Sequence, residues 1–336
     1  MPSTTAPERL RSAAVAALGA YDLPEPVTVA PIRLLGNSVY AVTAGDDRRY
    51  ALRLHTTGFR TEQHTRSELV FQRAVHGRLA AERVTVPTAV PTRDGRLTAF
   101  SPEIGTHCDL LTWVEGTVRR PGGGLGARGV HQLGRALGHL HRASEEFDPP
   151  SDFALPRWDA EAMFTERSPY RPGPISAFLT GADLAVFTSV AERTAEIFAS
   201  LGTGPDAYGL IHNDYILGNC HTVRRRVHGF DVGILDFDDC GWGHYLFDLA
   251  AVMGNLSDYA HFGELRAAFL AGYRGARPLP VELEAHLPAL MAARHAAQCL
   301  WAAGLSKRAF ELEFDTADHI AYRLWEIRRC LAMSAA

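Results

Sequence analysis

LIHNDYILGNC, residues Leu210 to Cys220, begins like a buried strand and then sets His212, Asn213, Asp214 and Asn219 in a stretch otherwise suited to a core. Asn and Asp favour turns because their side chains bond their own backbone, so the run by itself reads equally as a polar turn closing a strand. It does not stand alone. VGILDFDDC, residues Val232 to Cys240, repeats the arrangement, an apolar strand followed by Asp236, Asp238 and Asp239, and the basic, hairpin-like HTVRRRVHGFD joins the two runs. Asp214, Asn219 and Asp236 each flank apolar segments, so rigid backbones can hold their side chains toward a common cleft. Carboxylate and amide oxygens in this number suit magnesium, which one or two protein oxygens hold together with phosphate and water.

Outward from these runs the texture of the chain differs on its two sides. From Pro31 to Gly116 the pattern is short and β-like: PIRLLG, SVYAVTAG, the turn GDDRR and YALRLH alternate apolar with polar positions, as consecutive antiparallel strands do. One helix interrupts them at TEQHTRSELVFQRAVHGRL, where Leu69, Phe71, Val75 and Leu79 include helical spacings and Thr61 can cap the start. The sheet resumes with TAVPTRDGRLTAF, whose RDG suggests a hairpin, and ends in HCDLLTWVEG. Pro121 and Gly122 to Gly124 are the strongest linker signal. Beyond them helices dominate, beginning with GVHQLGRALGHLHRAS, which puts Val130, Leu133, Leu137 and Leu140 on one face. Residues 148–181 read as a packed irregular segment, and two long helices close the chain. The expected architecture is therefore α+β and bilobal. An N-terminal β-rich lobe with a leading helix covers 1–109, a hinge covers 110–116, and a mainly helical lobe covers 117–336. A cleft is the usual place for a ligand in such chains.

Composition excludes several classes. A chain of 336 residues with formal charge -4 has an ordinary core and no overall basic field for nucleic acid. The N-terminal Ala-rich run is broken by Glu8, Arg9 and Arg11 and reads as an amphipathic helix, not a signal peptide. No stretch approaches the roughly 18 uncharged apolar residues that span a bilayer, so a cytoplasmic protein without membrane partners is expected. Five scattered cysteines without a C-x-x-C pair favour reduced core thiols over disulfides or zinc. His139 and His141, two apart on a helix, point to different faces and do not make a metal pair.

HNDYILGN, a His-x-Asp followed after four residues by Asn, and then ILDF with its Asp after a strand, follow the order of the catalytic loop and metal-binding Asp of protein kinases. Phosphoryl transfer needs a group to orient and deprotonate the hydroxyl, metals to neutralise phosphate, and a cation on the nucleotide. On these motifs the chain resembles the aminoglycoside phosphotransferase, choline kinase and homoserine kinase-like family, whose fold is protein-kinase-like, over nearly its whole length. That family usually has His-Gly-Asp in the loop and sometimes His-Asn-Asp, as here. The resemblance implies an ATP- and magnesium-dependent kinase of a small hydroxylated molecule. By it, Asp214 is the catalytic base, Asn219 and Asp236 are Mg2+ ligands, and His212 supports the loop. DCGWGHYLFDLA resembles the family's tail motif and makes Asp248 a structural acid.

The β-rich part agrees with one departure. LLGNSVYAV, with Gly36 and Asn37, resembles the nucleotide-covering hairpin of the family, a single glycine replacing the kinase glycine-rich loop. Arg53 of YALRLH stands where protein kinases have lysine; an arginine can hold phosphate oxygens bidentately. Glu68 on the inserted helix is its natural ion-pair partner, with Glu62 also available. Trp113 and Val114 of LLTWVEG fall where adenine would sit. Asp238 and Asp239 either support the loop and metal or meet a substrate amine, and Trp242, Trp158 and Tyr170 either wall the substrate, Asp239 and Trp242 foremost, or belong to the core.

Three rival readings remain at this level. DFDDC also fits the opening of a haloacid-dehalogenase-type phosphohydrolase, but that motif opens a doubly wound domain, which the helical C-terminal stretch does not supply. A catalytically silent kinase-like binding protein is at odds with the presence of Asp214, Asn219 and Asp236 together. A protein Ser/Thr kinase similar to the bacterial stress-response kinases shares the fold and a D-x-D-D run, yet no obvious activation segment follows Asp236.

Overall fold

The computed structural model describes the chain apart from residues 1–5, 35–36, 59, 166, 171–174, 227–228, 307–314 and 335–336. In chain order the elements are α1 (Ala6–Leu18), β1 (Thr28–Arg33), β2 (Ser38–Thr43), β3 (Arg49–Leu54), α2 (Glu62–Ala81), β4 (Val84–Thr85), β5 (Ala99–Ser101) and β6 (Thr106–Thr112). They are followed by β7 (Thr117–Val118), α3 (Ala127–Glu145), α4 (Ala160–Phe164), α5 (Gly181–Leu201), β8 (Tyr208–Ile211), β9 (Cys220–Arg225), β10 (Gly229–Ile234) and β11 (Gly241–His244), and then by α6 (Tyr245–Leu256), α7 (Phe262–Ala276), α8 (Leu287–Leu305) and α9 (Thr316–Ser334). They group into two compact units, residues 1–77 with 86–114 and 149–154, and residues 78–85 with 115–148 and 155–336.

In the first unit a five-stranded antiparallel sheet has the order β1-β2-β3-β6-β5. The alternation of SVYAVT places Ser38, Tyr40 and Val42 on its buried face, and Tyr40 stands opposite Leu52. The Ala-rich face of α1, Ala13, Ala14 and Ala17, covers this surface together with Tyr21. Small side chains let the helix approach closely, and each fully buried Leu contributes roughly 1.5–3 kcal/mol. Helix α2 begins where expected, the Thr61 hydroxyl accepting the His64 N–H at 3.1 Å, and Leu69, Phe71, Val75 and Leu79 are all buried. The RDG sequence does form a turn, closed by the Thr92 N–H on the Arg96 carbonyl at 2.8 Å. The strand after it differs from expectation. β5 pairs with β6, and the segment before the turn meets β6 through a bridge from Ala89 to Leu111 and the Thr88–Thr112 contact, not through pairing with β5.

In the second unit α3 packs on α7 through glycines. A methyl group on Gly134 would run into the Phe269 carbonyl oxygen, and one on Gly272 into that of His131. The two backbones are therefore in direct contact, which only residues without a side chain permit. The run Gly122 to Gly124 is a turn bonded to the Arg120 carbonyl inside this unit, not a linker. The two polar runs of the sequence meet at the base of a β9–β10 hairpin within a four-stranded sheet, order β4-β10-β9-β7, and the first of them starts on β8, which pairs with β11. The strand leading to Asp236 is antiparallel to β9, and among the described residues β11 and four long helices follow it, so no doubly wound domain opens there. No described helix is long and apolar enough to cross a membrane. None of the five cysteines forms a disulfide and all are buried, and burial pushes the thiols of Cys108, Cys220, Cys299 and Cys330 up to about 12, which favours the protonated thiol at neutral pH.

Candidate active site

Strand β8 carries the chain into the polar loop, and Ser144 of α3 clips it there, accepting the Leu210 N–H at 2.9 Å and donating to the Leu210 carbonyl at 2.8 Å. Asp248, wholly buried near the start of α6, then caps the turn. One carboxylate oxygen accepts the His212 N–H and the other the Asn213 N–H, both at 2.7 Å. The His141 ring adds a third donor at 3.0 Å through Nε2, and its Nδ1 lies 2.8 Å from the Tyr273 hydroxyl. Burial holds His141 below the usual imidazole range, so a neutral Nε2–H tautomer fits both contacts. His139 instead lies 3.3 Å from Glu82. Asn213 has φ 64, a left-handed conformation that Gly and Asn adopt at least cost.

Asp214 follows, its side chain 21% exposed. His212 stands under it, with Nδ1 accepting the Asp214 N–H at 3.3 Å and Nε2 donating to the Leu235 carbonyl at 2.8 Å. Asn219 donates through Nδ2 to the Asp214 carbonyl at 3.0 Å and to Oδ2 of its carboxylate at 2.8 Å. Because Cys220 pairs with Ile234 at the end of the hairpin, Asn219 and Asp236 leave it side by side, and the Leu235 N–H reaches the Asn219 carbonyl at 2.9 Å. Asp236 has φ 62, uncommon for a side chain of this kind and frequent at functional turns. The structure thus brings Asp214, Asn219 and Asp236 to one edge. These oxygens fit a hard cation: the bonds of Asn219 to Asp214 use its Nδ2, so its side-chain carbonyl oxygen would be the atom to meet such an ion, and Asp236 would add a carboxylate.

On the far side of Asp214 lies a second group. Tyr170, buried, donates to Asp239 Oδ2 at 3.3 Å and receives Asn213 Nδ2 at 3.4 Å. Arg294 of α8 pairs through Nη2 with Asp214 Oδ1. Burial opposes its charge, but Asp214 first, then Tyr170 and Asp239, hold the guanidinium above its ordinary value. Trp242 sits on β11 opposite Leu210, its carbonyl receiving the N–H of the buried Trp158 at 2.7 Å. Trp158 and Tyr170, 5.1 Å apart, belong to the core.

In the first unit Arg53 is almost wholly buried and doubly held, Nη1 to Glu68 at 2.8 Å and Nε to Asp109 at 3.0 Å. Glu62 is not its partner; it accepts the Thr98 hydroxyl at 2.7 Å. Asp109 also meets His55 Nε2 at 2.5 Å. Burial alone would raise the Asp109 carboxyl, but Arg53 and His55 override it and hold the group down at about 2. The Asn37 side-chain Oδ1 accepts the Thr56 N–H at 3.1 Å. Trp113 and Val114 follow β6, with the Arg49 guanidinium 4.6 Å from the Trp113 ring centre. Gly36 lies outside the described residues.

Comparison with known proteins turns this geometry into a family assignment, since the model of the phosphotransferase enzyme family matches residues 28–286. The chain belongs to the phosphotransferase enzyme family. It is 29% identical over 309 residues to an uncharacterized protein of Deinococcus radiodurans, covering 88% of this chain and 82% of that one. It is 30% identical over 218 residues to a homoserine kinase of Methylobacterium nodulans, where it covers 63% of this chain and spans 61% of that kinase's length. Among solved structures it resembles the microcompartment-associated aminopropanol kinase at 27% identity, with a TM-score of 0.78 over 96% of this chain and 98% of that one. Its fold is that of this family: bilobal α+β and protein-kinase-like, with a small antiparallel sheet and a larger helical part.

Three residues of this phosphotransferase-family chain escaped the sequence reading. Asp109 is a lone acid inside the apolar strand HCDLL, and its position directly across from Arg53 depends on the β3–β6 register. Arg294 and His295 are the basic pair in LPALMAARHAAQCLWAAGL, a helix buried on nearly every side. An arginine in such a helix needs a buried partner, and that was the available signal.

Proposed function

We propose that this chain is an ATP- and magnesium-dependent kinase that moves the γ-phosphate to a hydroxyl of a small molecule. The observation that carries the reading is the convergence of Asp214, Asn219 and Asp236, with Asn219 bonded to Asp214 and its carbonyl tied to Leu235 beside Asp236. Asp214 orients the acceptor hydroxyl and takes its proton. Asn219 and Asp236 hold magnesium, which when bound neutralises phosphate charge. His212 and Asp248 keep the loop in place. Arg53, braced by Glu68, grips nucleotide phosphates, with Gly36 and Asn37 at the covering hairpin and Trp113 and Val114 beside the adenine. Asp239 and Trp242 face the acceptor. Dependence on ATP puts the activity in the cytoplasm.

Support for a small acceptor comes from the relatives, a homoserine kinase and an aminopropanol kinase, both named for small hydroxylated compounds. The test is incubation with labelled MgATP and a panel of hydroxylated amino acids, amino alcohols and antibiotics, read by product mass. One phosphorylated small molecule, formed only with a divalent cation, is expected. Phosphorylation of protein substrates alone, or phosphate release from phosphoesters without ATP, contradicts the reading.

A further inference from the structure

Arg294 lies 80 residues beyond Asp214 in sequence, on a helix whose other side chains fill the core, and it is 6% exposed. A guanidinium placed there loses hydration on every side, which is tolerated only when it is paired. Its partner is Asp214 itself, through Nη2 and Oδ1. The other oxygen of that carboxylate, Oδ2, accepts Asn219 Nδ2 at 2.8 Å. The carboxylate is thus held from two directions, by an amide from the metal-side edge and by a cation from the core. Neither rotation about the Cβ–Cγ bond nor a change of χ1 is possible without breaking one of these bonds. The Tyr170 side chain also bonds this guanidinium, while Arg294 Nε is buried with no hydrogen-bond partner among the described residues, so the side chain is held by its contacts at the acid without being fully satisfied.

We propose that Arg294 is a positioning residue for phosphoryl transfer, fixing the plane of the Asp214 carboxylate so that its unoccupied lone pairs face the acceptor hydroxyl. This rests on the kinase reading above. In the step it serves, the acceptor oxygen forms a bond to the γ-phosphorus. The bond from that phosphorus to the β–γ bridging oxygen breaks, ADP leaves with the electron pair, and the hydroxyl proton passes to Asp214. Arg294 touches none of the reacting atoms. Its effect falls on orientation, where a displacement of about 1 Å costs about 10²-fold in rate. Asn219 cannot replace it, since one hydrogen bond leaves a carboxylate free to swing about the bonded oxygen.

The experiment compares wild type, Arg294→Ala and Arg294→Lys in single-turnover transfer from saturating MgATP to homoserine and to 1-amino-2-propanol. Slow ATP hydrolysis, with water as acceptor, is followed in parallel, and ATP affinity and thermal unfolding are measured on the same samples. A rate lowered about 10²-fold in Arg294→Ala with ATP affinity unchanged is expected. Arg294→Lys, which keeps a charge but not the fork, should fall between, and it carries the test if the alanine variant does not fold. Millimolar guanidinium ion should restore part of the rate of Arg294→Ala and none of that of Asp214→Asn. Wild-type rates in both variants, or a loss of ATP affinity parallel to the rate with no guanidinium rescue, overturn the assignment and leave the kinase reading intact. Absence of wild-type turnover with every acceptor, water included, overturns both.

Discussion

Arg53 and Asp109 stand directly opposite each other on β3 and β6, Nε to Oδ1 at 3.0 Å, with Glu68 closing on the same guanidinium from α2. Two carboxylates and His55 therefore set one buried arginine. The planar fork of an arginine carries five donors in fixed directions, where a lysine would present a single point charge.

If this arrangement presents Arg53 to nucleotide phosphates, Asp109→Asn keeps the shape and loosens the aim. Its expected effect is a rise of about tenfold in the KM for ATP, the worth of one charge-assisted hydrogen bond, with a smaller change in kcat. Arg53→Ala should raise it further and also destabilise the unit by roughly 3–5 kcal/mol, because Glu68 and Asp109 are left buried without their cation. Steady-state kinetics with ATP varied, alongside urea unfolding, check both. Unchanged ATP kinetics in both variants would return Arg53 to a purely structural role.

The packing of α3 on α7 predicts a reversal of helix propensity. Ala is the better helix former by about 1 kcal/mol, yet Gly134→Ala and Gly272→Ala each drive a methyl into a carbonyl of the facing helix. Each should lower stability by roughly 1–3 kcal/mol. A chemical denaturation midpoint at or above wild type in either variant would show that the helices part without cost.

Acid sensitivity should begin well above the carboxylate range. Burial first, and then the stacked His55 ring 4.3 Å away, lower His107 to about 4 from an ordinary 6.5. A folded value below the unfolded one means that the neutral ring supports the fold fully above pH 6.5 and that this support is lost as pH falls toward 4. The loss is on the order of 2–3 kcal/mol. His295, lowered to about 3 by burial and nearby arginines, acts in the same direction. Unfolding followed from pH 7.5 to 4 should show a steady decline that His107→Gln makes shallower. An identical slope in that variant would place the sensitivity elsewhere.

Much of this was legible in the chain, for physical reasons. Strands β2 and β9 announce themselves because one face of each is buried and alternation follows. Thr61 signals its helix because a hydroxyl at that position satisfies a free N–H. Strand β11 was not anticipated: GWGH has no alternation, and its pairing with β8 is set by the chain around Trp158. Turn chemistry at Thr92–Arg96 was readable, but the partner of β5 was not, since a turn fixes local direction and not distant register. Asp214, Asn219 and Asp236 lie close in sequence and are linked by one hairpin. Arg294 reaches Asp214 only through the packing of α8, which no local pattern encodes.

The metal assignment has its own test. Asp236→Ala should abolish turnover and remove the magnesium dependence of ATP binding, because it deletes the carboxylate beside Asn219. Calorimetric titration of ATP with and without magnesium reads this directly. Equal magnesium-dependent affinity in wild type and variant removes Asp236 from the metal site.

The central claim is that Asp214 takes the acceptor proton, and Asp214→Asn examines it most directly because the amide keeps the size of the side chain and loses the carboxylate. The measurement is single-turnover phosphate transfer in this variant, with ATP affinity and unfolding on the same preparation. The account predicts a fall of about 10²- to 10⁴-fold in transfer with nucleotide binding retained. Transfer at a near-normal rate would contradict it.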